Sequence, residues 1–543
     1  MSAYANMAVP PTLSRASTVI VHDDPLSHSF EIGPSKKSYK FQYSNIYFIR
    51  LHLLRGTVES QAHRKWMSIA GDPALIPRVL EVEKGKLCYV IGTVYMDMPL
   101  KPNVIEDIAR DQSIAPPPPP PKYCSPEDSI MLEDESGRIK LVGDCVKDAR
   151  LVTGVIIGAL GMETPNGEFE VIDICYPEMA PQLTEENQIP EENRMDVDGE
   201  DRPSDSNSSD EWIAVVSGLD FGSPSCSDGQ VQLLIEYLTG EGNGVDDQVS
   251  ASQISRLIVA GDSLAPVAPE SLEPTPALDD KRARRNGQEL TSFSPRPVLN
   301  LSAALNDIAS SMPIHILPGE SDPSGTIMPQ QPFPRAMFND ASRYSTFSCE
   351  TNPKYLTLAS DPEVESSLKL ARPPMKRKLL INSGQPLNDM FKYLQSPPNT
   401  RLSVLESTLR WRHMAPTAPD TLWCHPYIGE DPFVIAETPD IYIVGGQKKF
   451  GTKLVTAHPE SSKQKDKPPT RCRIILVPSF AQTGTLIVVN LRTLAVRCVN
   501  FAVHGMTAGG KTETAEESAN PPSPMVMEPL PSAPRSSLDY GFH

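Results

Sequence analysis

Apolar residues run along this chain in two rhythms. Between Lys86 and Pro177 they come in short, closely spaced runs: LCYVIGTVYM (87–96), IMLEDESGRIKLVG (130–143), LVTGVIIGAL (151–160) and EFEVIDICY (168–176). Runs of this length bounded by turn signals predict strands, and Gly137 and Asn166-Gly167 mark turns between paired ones. From Trp212 onward the rhythm changes, and strand-like runs alternate with helical spacing. WIAVVS (212–217) precedes Val231, Leu234, Ile235 and Leu238, which follow i, i+3, i+4, i+7. RLIVAG (256–261) precedes Val298, Leu301, Leu305 and Ile308 on another helical face. IHIL (314–317), KLLI (378–381) and DIYIVG (440–445) continue the strands, with Leu387, Met390, Phe391 and Leu394 on a helix that has Pro386 near its start. RIILVPSF, TLIVVNL and AVRCVNF close the series as three strand candidates.

The first group of strands predicts a small closed β-barrel of the OB type, with the proline run at about 115–122 as an insertion. Phe41, Ile46, Tyr47, Ile49, Leu53 and Leu54, ending near Trp66, predict a partly buried helix leading into it. The second group predicts layers of sheet and helix, an α/β domain over about 211–505. Residues 1–37 are expected to be disordered, 38–180 to form the helix and barrel, and 181–210 to be an acidic disordered linker. A polar insertion at about 268–295 and a disordered tail at 506–543 complete the expected organisation.

Composition narrows the function. The 55 prolines are roughly double ordinary usage and concentrate in those linkers. A formal net charge of -18 argues against a chain whose main task is to neutralise nucleic-acid phosphates. The barrel stretch itself holds eight Lys or Arg against fifteen Asp or Glu between Gly85 and Pro177, which favours protein binding over single-strand binding. Its aromatics Tyr89, Tyr95, Tyr123, Phe169 and Tyr176 mostly fall within apolar runs and are expected to pack in the core. Nine widely spaced cysteines contain no C-x-x-C pair and suggest a reduced, intracellular setting. No run reaches 18 apolar residues and the N-terminal stretch lacks the apolar core of a signal peptide, so a soluble, non-secreted protein is expected. Lys281-Arg282-Ala283-Arg284-Arg285 reads either as a nuclear import signal or as a solvated loop. Gly505 to Thr512 satisfies the P-loop pattern, but no long helix or further strand follows, and a flexible tail is the better reading.

Reactive groups in α/β folds sit just after the strands, and there this sequence carries a damaged series. IAVV-Ser217-Gly218-Leu219-Asp220 resembles the first motif of calcineurin-like metallophosphoesterases, where an Asp and a His stand at the positions of Gly218 and Asp220. IVA-Gly261-Asp262 resembles that family's Gly-Asp motif and keeps the bridging carboxylate. LP-Gly319-Glu320-Ser321-Asp322 resembles Gly-Asn-His-Asp, with Glu320 for the Asn and Ser321 for the His. Ser383 in INS-Gly384 stands for a ligand His, and Gly445-Gly446-Gln447-Lys448 for Gly-His-x-His. The resemblance therefore implies a calcineurin-like, two-layered β-sandwich flanked by helices, with its metal ligands replaced. Asp262 alone cannot hold two cations, and Lys448 places an ammonium where a cation belongs. No catalytic residue, metal or cofactor is expected, and His315, His413 and His425 are expected to be structural or surface groups. A carboxylate-only site using Asp220, Asp262, Glu320 and Asp322 is the rival reading.

An OB-type barrel joined to an inactivated phosphoesterase is the pairing found in the B-type subunits of replicative DNA polymerases. MPQQPFPRAMF (328–338), RWRHMAPTAPDTLWCHPY (410–427), PDIYIVGGQKKFGT (439–452) and VPSFAQTGTLIVVNLRTLAVRCVNF (477–501) resemble the delta group in particular, as do IYFIRLHLLR (46–55) and VTGVIIGALG (152–161). The resemblance implies a non-catalytic regulatory subunit in the nucleus, acting in DNA replication and repair synthesis. It implies three kinds of partner: the catalytic chain through that chain's C-terminal metal-binding domain, a third accessory subunit, and the catalytic chain of polymerase zeta. DNA would be met only through the complex, and no membrane is implied. An active phosphoesterase or nuclease, or the B-type subunit of another replicative polymerase, are the alternatives.

Overall fold

The structure is a computed structural model that describes residues 13–21, 29–34, 37, 40, 42–69, 73–102, 120–182, 211–242, 244–266, 294–362, 375–457 and 469–503. Most of the proline run, the acidic segment at 183–210, the basic cluster at 281–285 and the P-loop-like match at 505–512 lie outside these residues.

The expectation of a disordered N-terminus fails for two stretches. β1 (Thr18–Ile20) pairs antiparallel with residues Leu358 to Ser360. Arg15 just before it donates to the carbonyls of Leu238, Ala251 and Ile254 at 2.6, 2.8 and 3.0 Å. Phe30 is buried, stacked on Tyr355 with ring centroids 5.7 Å apart. A three-residue strand has too short a period to be read from sequence, and it is the edge of a preformed sheet that makes it a strand.

α1 (Asn45–Trp66) buries Ile46, Arg50, Leu54, Val58, Ala62 and Trp66, one residue per turn along a single stripe. The stripe lies on the barrel and on Val434, while Phe48 and Leu53 face solvent. Trp66 Nε1 closes its end by donating to Asp173 at 2.8 Å.

The barrel consists of β2 (Ala74–Ile76), β3 (Cys88–Asp97), β4 (Ser129–Glu133), β5 (Arg138–Val142), β6 (Ile156–Glu163) and β7 (Glu168–Cys175), with α2 (Asp144–Asp148) between β5 and β6. Its order β3-β4-β5-β7-β6 closes through the β3–β6 pairing, so five strands form a barrel with β2 added parallel to the start of β3. Tyr89, Tyr123 and Phe169 are buried, as expected for core aromatics.

Two six-stranded sheets follow. Their strands are β8 (Trp212–Val216), β9 (Ile254–Ala260), β10 (Ile314–Leu317), β11 (Phe347–Cys349), β12 (Lys354–Ser360), β13 (Lys376–Asn382), β14 (Ile441–Gln447), β15 (Gly451–Ala457), β16 (Thr470–Pro478), β17 (Thr485–Asn490) and β18 (Val496–Asn500). One sheet has the order β11-β10-β9-β8-β17-β18 and the other β1-β12-β13-β14-β16-β15. Ile213, Val215 and Ile258 of the first pack against Leu379, Ile381, Ile441 and Ile443 of the second. The alternate residues Trp212, Ala214 and Val216 pack outward on α3 (Asp228–Thr239) and α5 (Arg296–Ala309), with α4 (Val245–Ser252) between them in sequence. On the far side, Leu380, Tyr442 and Val444 pack on α6 (Gln385–Tyr393) and α7 (Arg401–Trp411). Both faces of each central strand are thus covered, which is why these strands read as unbroken apolar runs. The short α8 (Phe480–Thr483) links β16 to β17.

Barrel and sandwich share one core: Val94, Met96, Leu132 and Val152 lie in the same cluster as Tyr393, Trp411 and Phe433. Arg50 pins this junction. Fully buried, it donates to Asp431 at 2.8 Å and to the carbonyls of Gly154, Pro416 and Ala418 at 3.1, 2.7 and 2.9 Å. Gly154 has φ +90°, and a Cβ there would lie 2.0 Å from the Pro416 carbonyl, so only glycine admits this approach. Among the described residues no helix is long and apolar enough to cross a membrane. All nine cysteines are unpaired thiols.

Candidate functional site

The parallel strands β8, β9 and β10 of one sheet and β13 and β14 of the other end on the same side, so their following loops converge. Gly218 N donates to Gly261 O at 3.0 Å, and Asp220 N to Asp262 O at 3.2 Å. Ser321 N and Oγ both donate to Asp262 Oδ1, at 3.0 and 3.1 Å. A Cβ built on Gly446 would lie 2.7 Å from Ser383 O and 3.1 Å from Asp262 Oδ2. The structure therefore brings together Gly218, Asp220, Asp262, Ser321, Ser383 and Gly446. Glu320 lies at the exposed rim, and Lys448 is likewise exposed at the end of β14, so its charge is solvated rather than fixed inside the cleft.

What fills the cleft is protein. At position 218 a Cβ would meet Ser479 Oγ, Cβ and Cα at 2.7 to 2.9 Å, so Ser479 occupies the room a ligand side chain would need. Ser479 Oγ donates to Gly218 O at 3.2 Å and lies 3.4 Å from Asp220 Oδ2. Ser217 Oγ accepts from Gly446 N at 2.8 Å and donates to Ala260 O at 2.8 Å. Around Ser383 a set of amides interlocks: Asn352 Nδ2 donates to Gln330 Oε1 at 2.7 Å and to Ser383 Oγ at 2.5 Å, Gln385 Nε2 donates to Gln330 at 2.9 Å, and Gln330 Nε2 to Gly319 O at 2.9 Å.

The carboxyl groups serve the backbone. Asp322 is buried and accepts from the N–H groups of Leu264 (2.8 Å), Gly319 (2.8 Å) and Ser263 (3.2 Å). Burial pushes its pKa up to about 7, against those three donors, which favour the charged form. Burial, and then the charge of Asp262, raise Asp220 above the usual carboxylate range. Among the described residues no three His, Cys, Asp or Glu converge as a metal-holding group. The residues present do not fit a dinuclear centre: Asp262 spends Oδ1 on Ser321, and the amides around Ser383 donate hydrogen bonds to one another and to its hydroxyl.

The three histidines lie elsewhere. His315 is clamped between Glu350 (2.9 Å) and Arg256 (2.7 Å). His413 Nδ1 accepts from Ala415 N at 3.2 Å, so its Nε2 carries the proton donated to Asp431 at 2.9 Å and the ring is neutral. His425 is buried. Sequence reasoning missed the amide set of Gln330, Asn352 and Gln385 and the serines 217 and 479. No local pattern marks them, because they come from five separate segments. A signal for Arg50 did exist: it stands on the apolar stripe of α1, where a charge implies a buried partner.

Beside the cleft opens a cavity of about 230 Å³ lined by residues that include Glu320, Gln330, Gln385, Asn388, Lys392 and Trp423.

Comparison with known proteins gives two family matches: the DNA polymerase delta subunit OB-fold domain over residues 42–174, and the B-type subunit of DNA polymerases alpha and epsilon over residues 213–452. The chain is 35% identical to the DNA polymerase delta small subunit of Arabidopsis thaliana over 88% of this chain and 94% of that one. It is 32% identical to the DNA polymerase delta small subunit of Saccharomyces cerevisiae over 92% and 96%, and 32% identical to DNA polymerase delta subunit 2 of Drosophila melanogaster over 86% and 94%.

Proposed function

Since the chain belongs to the family of DNA polymerase delta small subunits, we propose that it is the non-catalytic regulatory subunit of such a polymerase and holds its other chains together. The α/β part is read as a calcineurin-like phosphoesterase scaffold that has lost its metal chemistry. The observation that carries this reading is the filled cleft: the one acid that keeps a ligand position, Asp262, is bonded to Ser321, and Ser479 occupies the space beside Gly218. A two-metal hydrolase needs an open pair of cation sites and a metal-bound water. Here the same loops are closed onto each other. Scaffolding would fall to the fused barrel and sandwich, which present a rigid joint surface. The proposed partners are the catalytic chain, through its C-terminal metal-binding domain, and a third accessory subunit, with the catalytic chain of polymerase zeta as a further one. The proposed compartment is the nucleus.

Two measurements test this. Affinity purification of the full chain should recover the catalytic chain of polymerase delta, and recovery of a primase or of an epsilon catalytic chain in its place would overturn the assignment. Elemental analysis should find no paired Mn²⁺ or Zn²⁺. Stoichiometric occupancy with phosphodiester hydrolysis abolished by Asp262→Ala would overturn the scaffold reading.

A further inference from the structure

Residues 13–21 lie in a slot that grips two of their side chains, Arg15 and Thr18. The first grip is a cation pocket made of backbone. Arg15 Nη2 donates to Leu238 O at 2.6 Å, and Nη1 to Ala251 O and Ile254 O at 2.8 and 3.0 Å. Leu238 and Ala251 stand in the last turns of α3 and α4, so two helix C-termini turn their carbonyls and negative dipole ends onto one guanidinium. The second grip is on Thr18, the one buried side chain of the segment. Arg256 Nε donates to Thr18 Oγ1 at 3.0 Å and Nη2 to Thr18 O at 2.6 Å, while Thr18 Oγ1 donates to Ser255 Oγ at 3.1 Å. Ser255 Oγ in turn donates to Trp212 O at 3.0 Å, so the slot asks for a group that both accepts and donates. Arg256 Nη1 donates to His315 Nε2 at 2.7 Å, which leaves His315 Nδ1 to donate to Glu350 and the ring neutral. Among the described residues neither Arg15 nor Arg256 has a carboxylate partner.

Backbone bonds fix the register around the grips. Ala16 N donates to Ser252 O at 2.7 Å and Val21 N to Thr357 O at 2.9 Å, and Thr18, Val19 and Ile20 pair with Ser360, Ala359 and Leu358 at the edge of β12. Apolar burial contributes little: Leu13 and Val19 are 51% and 37% exposed, and Ile20 is half-buried against the core between the sheets. A segment held by directed polar contacts and a three-residue ladder belongs to the least stable part of a fold. An empty slot would leave the buried guanidinium of Arg256 short of acceptors, so the favoured event is exchange against an equivalent segment. Adding a strand to a sheet edge, with separate pockets for chosen side chains, is a general mode of peptide recognition.

We propose that the edge of β12, with Ser255, Arg256 and the ends of α3 and α4, is a strand-accepting peptide site that reads an Arg three residues ahead of a Thr. Residues 13–21 occupy it in cis as a strap that exchanges with a peptide of the same pattern. The site is distinct from the closed cleft, since it lies at the start of β9 and the cleft follows the end of that strand.

The test uses the full chain and a fluorescein-labelled peptide of residues 13–21, read by fluorescence anisotropy. The parent chain should bind the peptide weakly, because its own strap competes. Arg15→Ala with Thr18→Val in the chain weakens the strap, and this variant should bind the peptide at least about tenfold more tightly than the parent. Replacing the Arg by Ala or the Thr by Val in the peptide should cancel that gain, as should Arg256→Met added to the chain, and the altered peptides carry the test without touching the fold. Equal binding by parent and variant, or binding indifferent to the peptide's Arg and Thr, overturns the proposal. So does a strap variant that no longer shows a cooperative urea transition, since the segment is then a fixed part of the fold.

Discussion

Arg50→Ala is the most informative single perturbation of the fold. The guanidinium is fully buried and makes one ionic and three carbonyl hydrogen bonds, which tie α1 to the barrel at Gly154 and to the sandwich at Pro416, Ala418 and Asp431. Removing it leaves the Asp431 carboxylate buried with, among the described residues, only His413 and the Phe433 N–H as donors. Breaking a buried pair from one side costs about 3–5 kcal/mol. Each orphaned carbonyl adds a penalty of about 1–3 kcal/mol where water cannot reach it, though these do not sum freely. A loss of about 4 kcal/mol, roughly a thousandfold in the folded-to-unfolded ratio, is the expected outcome of urea unfolding followed by tryptophan fluorescence. Trp66 and Trp411 are both buried in the cores that meet near Arg50, so the signal reports the joint. Arg50→Met combined with Asp431→Leu removes both charges and should recover about half of the loss, giving a coupling of about 2 kcal/mol in a double-mutant cycle. An Arg50→Ala variant within about 1 kcal/mol of the parent, or a coupling near zero, would refute the argument that this residue pins the two parts together.

Three further outcomes follow from the same geometry. Burial, and then Arg50, lower His413 from 6.5 to about 4, so the unfolded chain takes up this proton first as pH falls, and about 3 kcal/mol of stability is lost between roughly pH 6.5 and 4. His413→Gln should show a smaller change in urea midpoint between pH 7 and 4.5, and an unchanged one would rule His413 out as the cause. Asp322 titrates with the opposite sign: its pKa is raised to about 7, so its contribution declines as pH rises from about 4 to 7, by at most about 4 kcal/mol. Asp322→Asn should remove that decline while costing about 1–3 kcal/mol at pH 5, because its NH₂ would face backbone N–H donors. Gly218→Asp with Gly446→His should fail to restore stoichiometric metal by elemental analysis, since the new Cβ at 218 meets Ser479 and position 446 has φ +61°. Metal uptake by that variant would show the cleft to be open.

Much of the architecture was legible because its strands are buried on both faces or paired by short turns. WIAVVS, RLIVAG and DIYIVG announce themselves by unbroken apolarity, and β8, β9 and β14 lie where those runs lie. α7 was not legible: Val404, Leu405 and Leu409 are buried, but Ser407 and Thr408 share its interior, and polar residues there blur a helical period. β1 and β15 are edge strands of mixed character, and both depend on a neighbour rather than on their own pattern. The loops of the cleft were placed from motif position alone, since glycine beside a polar residue at a strand end is a pattern that can be read without any ligand residue. Lys448 shows the limit of that method. Its place in the motif suggested a cation inside the site, while the backbone turns it outward. Pairings between distant segments, such as Asn352 with Ser383 or Ser217 with Gly446, leave no mark on either segment alone.

The chemistry of the loop residues also explains why the cleft closes rather than standing empty. An imidazole aimed at a metal holds a lone pair toward a cation and keeps two loops apart at the distance the ion sets. Serine, glutamine and asparagine carry donor and acceptor together, so without an ion they satisfy each other directly. Ser217 bridges β9 to β14, Ser321 bridges Asp262 to Leu264, and Asn352 bridges Gln330 to Ser383, at 2.5 to 3.0 Å. Buried polar groups paired in this way avoid the cost of being left unsatisfied, and the loops they join lose freedom. Loops joined in this way make a stiff end of the sandwich. Stiffness there holds the start of α6 through Ser383 and Gln385.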